Sequence, residues 1–110
     1  MRLVSATLLA GFLLSSVQPA SAATCAQLTE SLAPHVKEAV QLRRQILSGA
    51  GAGPQARCQK VRQLVEVLNG EIAVRRQAEK QHCVLPGPIS LTVQGMIDRH
   101  KRELTSAPCR

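Results

Sequence analysis

Four cysteines that follow an apolar leader constrain this 110-residue chain more than any other feature. They are Cys25, Cys58, Cys83 and Cys109, and the closest two in sequence are 25 positions apart. A small exported chain with an even number of cysteines typically joins them as disulfides, because its compartment is oxidising and its core is thin. We therefore expect two disulfides.

Residues 1–22 have the three parts of a cleaved signal peptide. Arg2 lies near the start, an apolar run covers Leu8 to Leu14, and Ala20-Ser21-Ala22 supplies the small residues of a cleavage site. The alternative is an uncleaved anchor, but polar residues end the apolar run well short of the ~20 residues that a membrane span needs. We expect residues 23–110 to form a single helical domain without a membrane span, secreted into a bacterial periplasm.

The composition of residues 23–110 limits both the core and the partners. The one aromatic residue of the chain, Phe12, lies in the leader, so the core must consist of Leu, Val, Ile, Ala and Met96. Such a core gains from crosslinks, and it lacks the rings on which single-stranded nucleic acids stack. The formal net charge is +7, and loss of Arg2 with the leader leaves +6. This charge attracts polyanions.

Apolar residues at helical spacing predict a first helix from about Cys25 to Ser48. Thr24 and Gln27 form a capping box before it, and Gly49 is a left-handed stop after it. Pro34 removes one backbone hydrogen bond, so the helix bends there or its main part begins there. The apolar face comprises Leu28, Leu32, His35, Ala39, Leu42 and Ile46.

A second helix is predicted to begin at Pro54, after a glycine-rich connector, and to extend to about Gln81. Asn69-Gly70 is its weak point. A break there would leave two pieces near the ~12-residue limit for a stable helix, so one long helix is favoured. Its apolar face comprises Cys58, Val61, Val65, Leu68 and Ile72.

Pro86-Gly87-Pro88 ends the helical pattern, and a third helix then extends to about Leu104, with Ser90 or Thr92 as its cap. The alternation of apolar residues from Ile89 to Val93 also fits a strand, but no partner strand occurs elsewhere. The apolar face of the third helix comprises Val93, Met96, Ile97, His100 and Leu104.

These elements predict an all-α, three-helix, up-down-up bundle. With a rise of about 1.5 Å per residue, Cys25 and Cys83 both lie at the lower end, while Cys58 and Cys109 lie at the upper end. Disulfides need Cα atoms within about 7 Å of each other. The layout therefore predicts the pairs Cys25–Cys83 and Cys58–Cys109, and it rejects a bridge from Cys25 to Cys58.

Residues with catalytic or metal-binding chemistry are too scattered to predict an enzyme. No Cys-x-x-Cys pair is present, and His82-Cys83 is the one adjacent pair of metal-ligand types. Asp98 and His100 are two positions apart, so they do not face each other on a helix. His35 and His100 lie on apolar faces, as packing residues do. We expect no enzyme, no metal site and no cofactor.

Basic side chains are spread over all three predicted helices. A solvated surface is one interpretation, because acidic residues alternate with them at helical spacing, as in Glu71 with Arg75 and Asp98 with Arg102. A true anion-binding surface is the other. Its candidate residues are Arg75, Arg76, Lys80, Arg99, Lys101 and Arg102.

Export, small size and charge favour a non-enzymatic periplasmic binding or accessory protein. Its basic surface would bind an acidic protein or an anionic envelope component, including a peripheral membrane surface. The compartment argues against nucleic acid. The second hypothesis is a carrier of a lipid or other small hydrophobic ligand, held in an apolar cavity. A membrane-active cationic peptide fits the charge, but the helices share one mutual core.

Overall fold

The computed structural model describes residues 23–49 and 53–110. This part of the chain contains three helices, α1 (Cys25–Ser48), α2 (Pro54–Lys80) and α3 (Ser90–Leu104), and no strand. The predicted all-α class and helix positions are confirmed, and the segment from Ile89 to Val93, whose alternation also fits a strand, forms the N-cap and first turn of α3. The predicted signal peptide, residues 1–22, lies outside the described residues.

Both ends of α1 follow the predicted capping chemistry. Thr24 Oγ1 accepts a hydrogen bond from the Gln27 N–H at 3.1 Å, and Gln27 Oε1 accepts one from the Thr24 N–H at 2.8 Å. Gly49 ends the helix with φ +70°, a conformation that favours glycine. Pro34 lies within one continuous helix.

The central helix is α2, against which both α1 and α3 pack. No Cα atoms of α1 and α3 come within 8 Å of each other. Because neighbours cover it on two sides, α2 buries residues around a wide arc. The buried residues of α2 are Cys58, Val61, Leu64, Val65, Val67, Leu68, Glu71, Ile72, Arg75 and Ala78.

Gly70 does not interrupt α2, and a contact from α1 explains why a glycine stands there. The imidazole of His35 occupies the space beside it, and a Cβ on Gly70 would lie 2.5 Å from His35 Cε1. The favoured single long helix is therefore confirmed. A residue with a side chain at this position would have to displace the histidine ring.

The start of α3 differs from the prediction. The N-cap is Ile89, which has no side-chain cap bond, so the predicted caps Ser90 and Thr92 are wrong. Glu79 of α2 supplies the missing acceptors across the loop. Its carboxylate accepts hydrogen bonds from the Ser90 N–H at 2.8 Å and from Ser90 Oγ at 2.6 Å. A side chain distant in sequence thus satisfies the N–H of the first helical residue, one of the N–H groups that have no partner inside the helix.

Two disulfides join the ends of the bundle, in the predicted pairs. Cys25 and Cys83 have Cα atoms 5.5 Å apart, and Cys58 and Cys109 have Cα atoms 5.4 Å apart. The first joins the start of α1 to the turn after α2, and the second joins the start of α2 to the segment after α3. These two links place the start of α1 beside the end of α2, and the start of α2 beside the segment after α3.

The buried core is aliphatic and lies along α2. Its main cluster comprises Ala39, Leu42, Leu64, Val65, Val67, Leu68, Ile72, Val93 and Ile97. A smaller cluster of Leu28, Ala78 and Cys83 lies beside the first disulfide. The paired cysteines are compatible with an extracytoplasmic, oxidising compartment. Over residues 23–49 and 53–110, none of the helices has the length and apolarity required to cross a membrane.

Candidate ligand-binding cleft

An open cleft of about 450 Å³ lies between α1 and the start of α3, above the lower half of α2. It exists because α1 and α3 each pack against α2 without meeting along their full lengths. Toward the upper end, Leu42 and Ile97 both belong to the main core cluster. Toward the lower end, the loop of residues 81–89 joins α2 to α3, and its residues 86–88 line the cleft.

The walls of the cleft are apolar. One wall is the face of α1 that carries Ala33 and Val36, with Leu32 at its base. The opposite wall comprises residues 86–88 of the loop and Met96 of α3. The prolines present rigid apolar rings without an N–H donor, and the methionine adapts its shape to what it contacts.

The floor of the cleft contains a buried ion pair. Arg75 Nε donates to Glu71 Oε2 at 2.9 Å, and the two side chains are only 3% and 5% exposed. Arg75 Nη1 also donates to the carbonyl oxygen of Pro86 at 2.9 Å, which ties the loop to α2. A Cβ on Gly87, whose φ is +93°, would lie 2.7 Å from Arg75 Nη2. The charges of Glu71 and Arg75 neutralise each other, and the Arg75 guanidinium holds the loop that forms one wall of the cleft.

Two further cations border the cleft. Lys37 is exposed on the outer edge of α1, and Arg43 is half-buried two turns further along the same helix. Arg43 Nη2 reaches across to Met96 Sδ at 3.8 Å. Within residues 23–49 and 53–110, no carboxylate lies within 4.0 Å of this guanidinium. Arg43 therefore differs from Arg75, whose charge is matched by a carboxylate.

The structure separates the six residues predicted for anion binding. Arg75 is buried and paired, so its place on an exposed anion-binding surface is wrong. The interpretation of Glu71 and Arg75 as a solvated surface pair is also wrong, because both side chains are buried. The other five candidates, Arg76, Lys80, Arg99, Lys101 and Arg102, are exposed.

A chain of hydrogen bonds places Arg76 on the same flank of the bundle as α3. Arg76 Nη2 donates to Gln94 Oε1 at 2.6 Å, and Gln94 Nε2 donates to Asp98 Oδ1 at 2.9 Å. Asp98 therefore bonds Gln94, and the described residues contain no Asp98–Arg102 ion pair. An acidic residue thus lies between the basic residues of α2 and those of α3.

His100 lies half-buried near the upper end of the bundle. Burial lowers its pKa, the positive charges of Arg99, Arg43 and Arg57 lower it further, and Glu103 acts in the opposite direction. Arg57 is itself paired, since its Nε lies 3.0 Å from Glu103 Oε2. In the part of the chain that the structure describes, no three His, Cys, Asp or Glu side chains group as metal ligands do.

The sequence contains a signal for the cleft that the helix pattern alone did not separate from the core. Besides its buried stripe, α1 carries a second apolar stripe at Ala33, Val36, Val40 and Leu47, with steps of three, four and seven residues. Val40 is 37% exposed and Leu47 is 87% exposed. A second stripe that the core does not cover indicates a surface open to a ligand or partner.

No protein-family model, curated protein or solved structure matches the chain. A function is therefore inferred from the cleft and from the charged side chains around it.

Proposed function

We propose that this chain is an exported, non-enzymatic binding protein that holds a small apolar ligand in the cleft between α1 and α3. The observation that carries the proposal is the cleft itself, about 450 Å³ with apolar walls. Ligand sites in proteins typically have volumes of roughly 300–1,000 Å³ and are lined by apolar residues with a few polar groups. The carrier hypothesis from the sequence agrees with this geometry better than the surface-binding hypothesis does.

Rigid surroundings support the proposal. Arg75 holds the loop wall through Pro86, and the disulfide from Cys25 to Cys83 joins the two chain segments at the lower end of the cleft. Thr29, which lines that end, is one helical turn from Cys25 and donates to its carbonyl oxygen at 2.9 Å. A site formed before the ligand arrives avoids the cost of ordering side chains on binding.

A matched pair of substitutions tests the proposal. Ala33 lines the cleft and Ala73 lies on the outer face of α2, and both are exposed alanines within helices. Ala33→Trp fills the cleft, so we expect it to weaken binding of the neutral apolar dye N-phenyl-1-naphthylamine by roughly ten-fold or more, whereas Ala73→Trp retains wild-type affinity. Dye fluorescence measures binding, and far-UV circular dichroism checks folding. Equal affinities in the two variants would contradict the proposal.

A second candidate function rests on the exposed basic residues. Arg99, Lys101 and Arg102 are exposed on the last turns of α3, and Arg76 and Lys80 are exposed on α2, with Asp98 between the two groups. Such a surface suits an acidic protein or an envelope polyanion such as lipopolysaccharide. We expect retention on immobilised heparin that weakens with salt.

The control for this second function keeps the net charge equal. Arg99→Gln/Arg102→Gln should elute at lower salt than Lys37→Gln/Arg44→Gln, which removes the same charge from α1. Elution of both variants at one salt concentration would show that net charge alone causes retention.

A further inference from the structure

We infer that the ligand of the cleft is an anionic single-chain amphiphile of the fatty-acid type, whose acidic head group is bound by Arg43 and Lys37. This inference rests on the proposed function and names the chemical class of its ligand. It requires an unmatched positive charge at one end of the cleft and an apolar path leading away from it.

The unmatched charge is that of Arg43. A guanidinium carries five N–H donors, and the acceptor that Arg43 reaches across the cleft, the Met96 thioether, is a weak one. The buried Arg75 has a carboxylate at 2.9 Å, and even the exposed Arg57 has one at 3.0 Å. Removing charge from water is costly without a partner. A carboxylate from a ligand would give the Arg43 guanidinium the strong acceptor that the Met96 thioether does not provide.

The net charge of the residues that line the cleft is also positive. Its lining contains three cations, Lys37, Arg43 and Arg75, and one anion, Glu71. Glu71 and Arg75 neutralise each other in the floor. The charges of Lys37 and Arg43 remain for a ligand, so the cleft complements an anion and disfavours a cation.

The apolar path begins at the charged end. Among the residues of α1 that line the cleft, Arg43 is the last and Thr29 the first, a separation of about 21 Å along the helix at 1.5 Å per residue. Ala33 and Val36 lie between them, opposite the two prolines of the loop and Met96. A head group at Arg43 therefore places an extended acyl chain along apolar side chains as far as the loop.

Displacement of the neutral dye by two ligands with the same tail tests the inference. We expect dodecanoate to displace N-phenyl-1-naphthylamine at roughly ten-fold lower concentration than dodecanol, because a guanidinium–carboxylate contact is a charge-assisted hydrogen bond. Arg43→Gln should abolish this preference, measured as the ratio of the dodecanoate and dodecanol concentrations that displace half of the bound dye. The matched control is Arg44→Gln, which removes the same charge from the neighbouring, exposed residue and should retain the preference.

The outcomes separate this inference from the proposed function. If the neutral dye does not bind the wild-type protein, the cleft is not a binding site and both proposals fail. If the dye binds but dodecanoate and dodecanol displace it equally, or Arg44→Gln acts as Arg43→Gln does, only the inference about the head group is overturned. Phosphatidylglycerol vesicles should not sediment the protein; co-sedimentation with these vesicles in the absence of dodecanoate binding would assign the charge to a membrane surface instead of a free ligand.

Discussion

At the scale of single residues, the neighbouring arginines 75 and 76 lie in different surroundings, since Arg75 is buried and Arg76 is exposed. Successive positions on a helix lie about 100° apart, so one side chain faces the cleft floor and the other faces solvent. Arg75 bonds both Glu71 and the loop carbonyl of Pro86, whereas Arg76 bonds Gln94 at the surface. The type of residue is the same, and its surroundings decide whether the side chain is buried in an ion pair or exposed to solvent.

Removing one partner of the buried ion pair should be strongly destabilising. Arg75→Met leaves the Glu71 carboxylate buried without a cation, which typically costs about 3–5 kcal/mol of the free energy of unfolding. The double variant Glu71→Leu/Arg75→Met removes both charges and should recover much of that loss. Urea denaturation measures both effects.

Arg76→Met is the control for this experiment, because Arg76 is exposed and should change stability by no more than about 0.5 kcal/mol. If Arg75→Met were as stable as Arg76→Met, the ion pair would have no structural role.

At the scale of the helices, α2 and α3 each contain a glycine, and their surroundings differ. Gly70 of α2 touches the His35 ring, whereas a Cβ on Gly95 of α3 would have no atom within 4 Å. Alanine is favoured over glycine inside a helix by about 0.5–1 kcal/mol. Overpacking, which typically costs about 1–3 kcal/mol, opposes this gain at Gly70 alone.

We therefore expect Gly95→Ala to stabilise the protein by about 0.5–1 kcal/mol and Gly70→Ala to destabilise it by about 1 kcal/mol. In a His35→Ala background the obstacle is absent, so Gly70→Ala should become stabilising there. Thermal denaturation of the wild type, Gly70→Ala, His35→Ala and the double variant measures the coupling between positions 35 and 70. Gly95→Ala is measured beside them. A stabilising Gly70→Ala in the wild-type background would mean that the histidine ring does not limit this position.

The carboxylate of Glu79 joins α2 to the start of α3, and it makes this junction sensitive to acid. The bond from the Ser90 hydroxyl and the bond from the Ser90 N–H hold the pKa of Glu79 below its ordinary value of 4.5, against an opposing effect of burial, and the positive charges of Arg75 and Arg76 lower it further. A carboxyl with a lowered pKa in the folded state stabilises the fold above its unfolded pKa, and the stabilisation is lost as the pH falls through the folded pKa.

We expect Glu79→Gln to be less stable than the wild type at neutral pH, and we expect this difference to shrink as the pH falls below 4.5. Urea denaturation at pH 7 and pH 3 measures it. Glu66→Gln, at an exposed position of α2, is the matched control and should change the free energy of unfolding at pH 7 by no more than about 0.5 kcal/mol. An unchanged difference between wild type and Glu79→Gln at the two pH values would exclude the carboxylate as the cap.

Helix positions and disulfide pairs could be predicted from the sequence because both depend on local spacing and helix length. The apolar steps of three and four residues, the Thr24–Gln27 box and Gly49 are local signals. The contact of Gly70 with His35 and the bond of Glu79 to Ser90 join residues 35 and 11 positions apart, so no local rule reveals them. The burial of Arg75 could not be predicted for the same reason, because it depends on the path of the loop that contains Pro86.

At the scale of the whole molecule, two crosslinks hold an aliphatic core that has no aromatic residue to enlarge it. Cys25–Cys83 closes a loop with a sequence separation of 58, and Cys58–Cys109 closes one with a separation of 51. In the chain-entropy model a loop of this length stabilises the folded state by about 4 kcal/mol, mainly by restricting the unfolded chain.

Replacing either cysteine pair by alanines should therefore lower the free energy of unfolding by about 2–5 kcal/mol, with similar losses for the two pairs because their loops are similar in length. Guanidinium denaturation under non-reducing conditions measures these losses. A loss below about 1 kcal/mol for either pair would show that the core is sufficient without that bridge.

Both sulfur bridges end on the central helix or on the turn directly after it, so neither of them spans the opening of the cleft. A ligand can therefore enter or leave the proposed site while both disulfides stay intact. The oxidised protein, held together as it would be after export, is thus compatible with repeated loading and release.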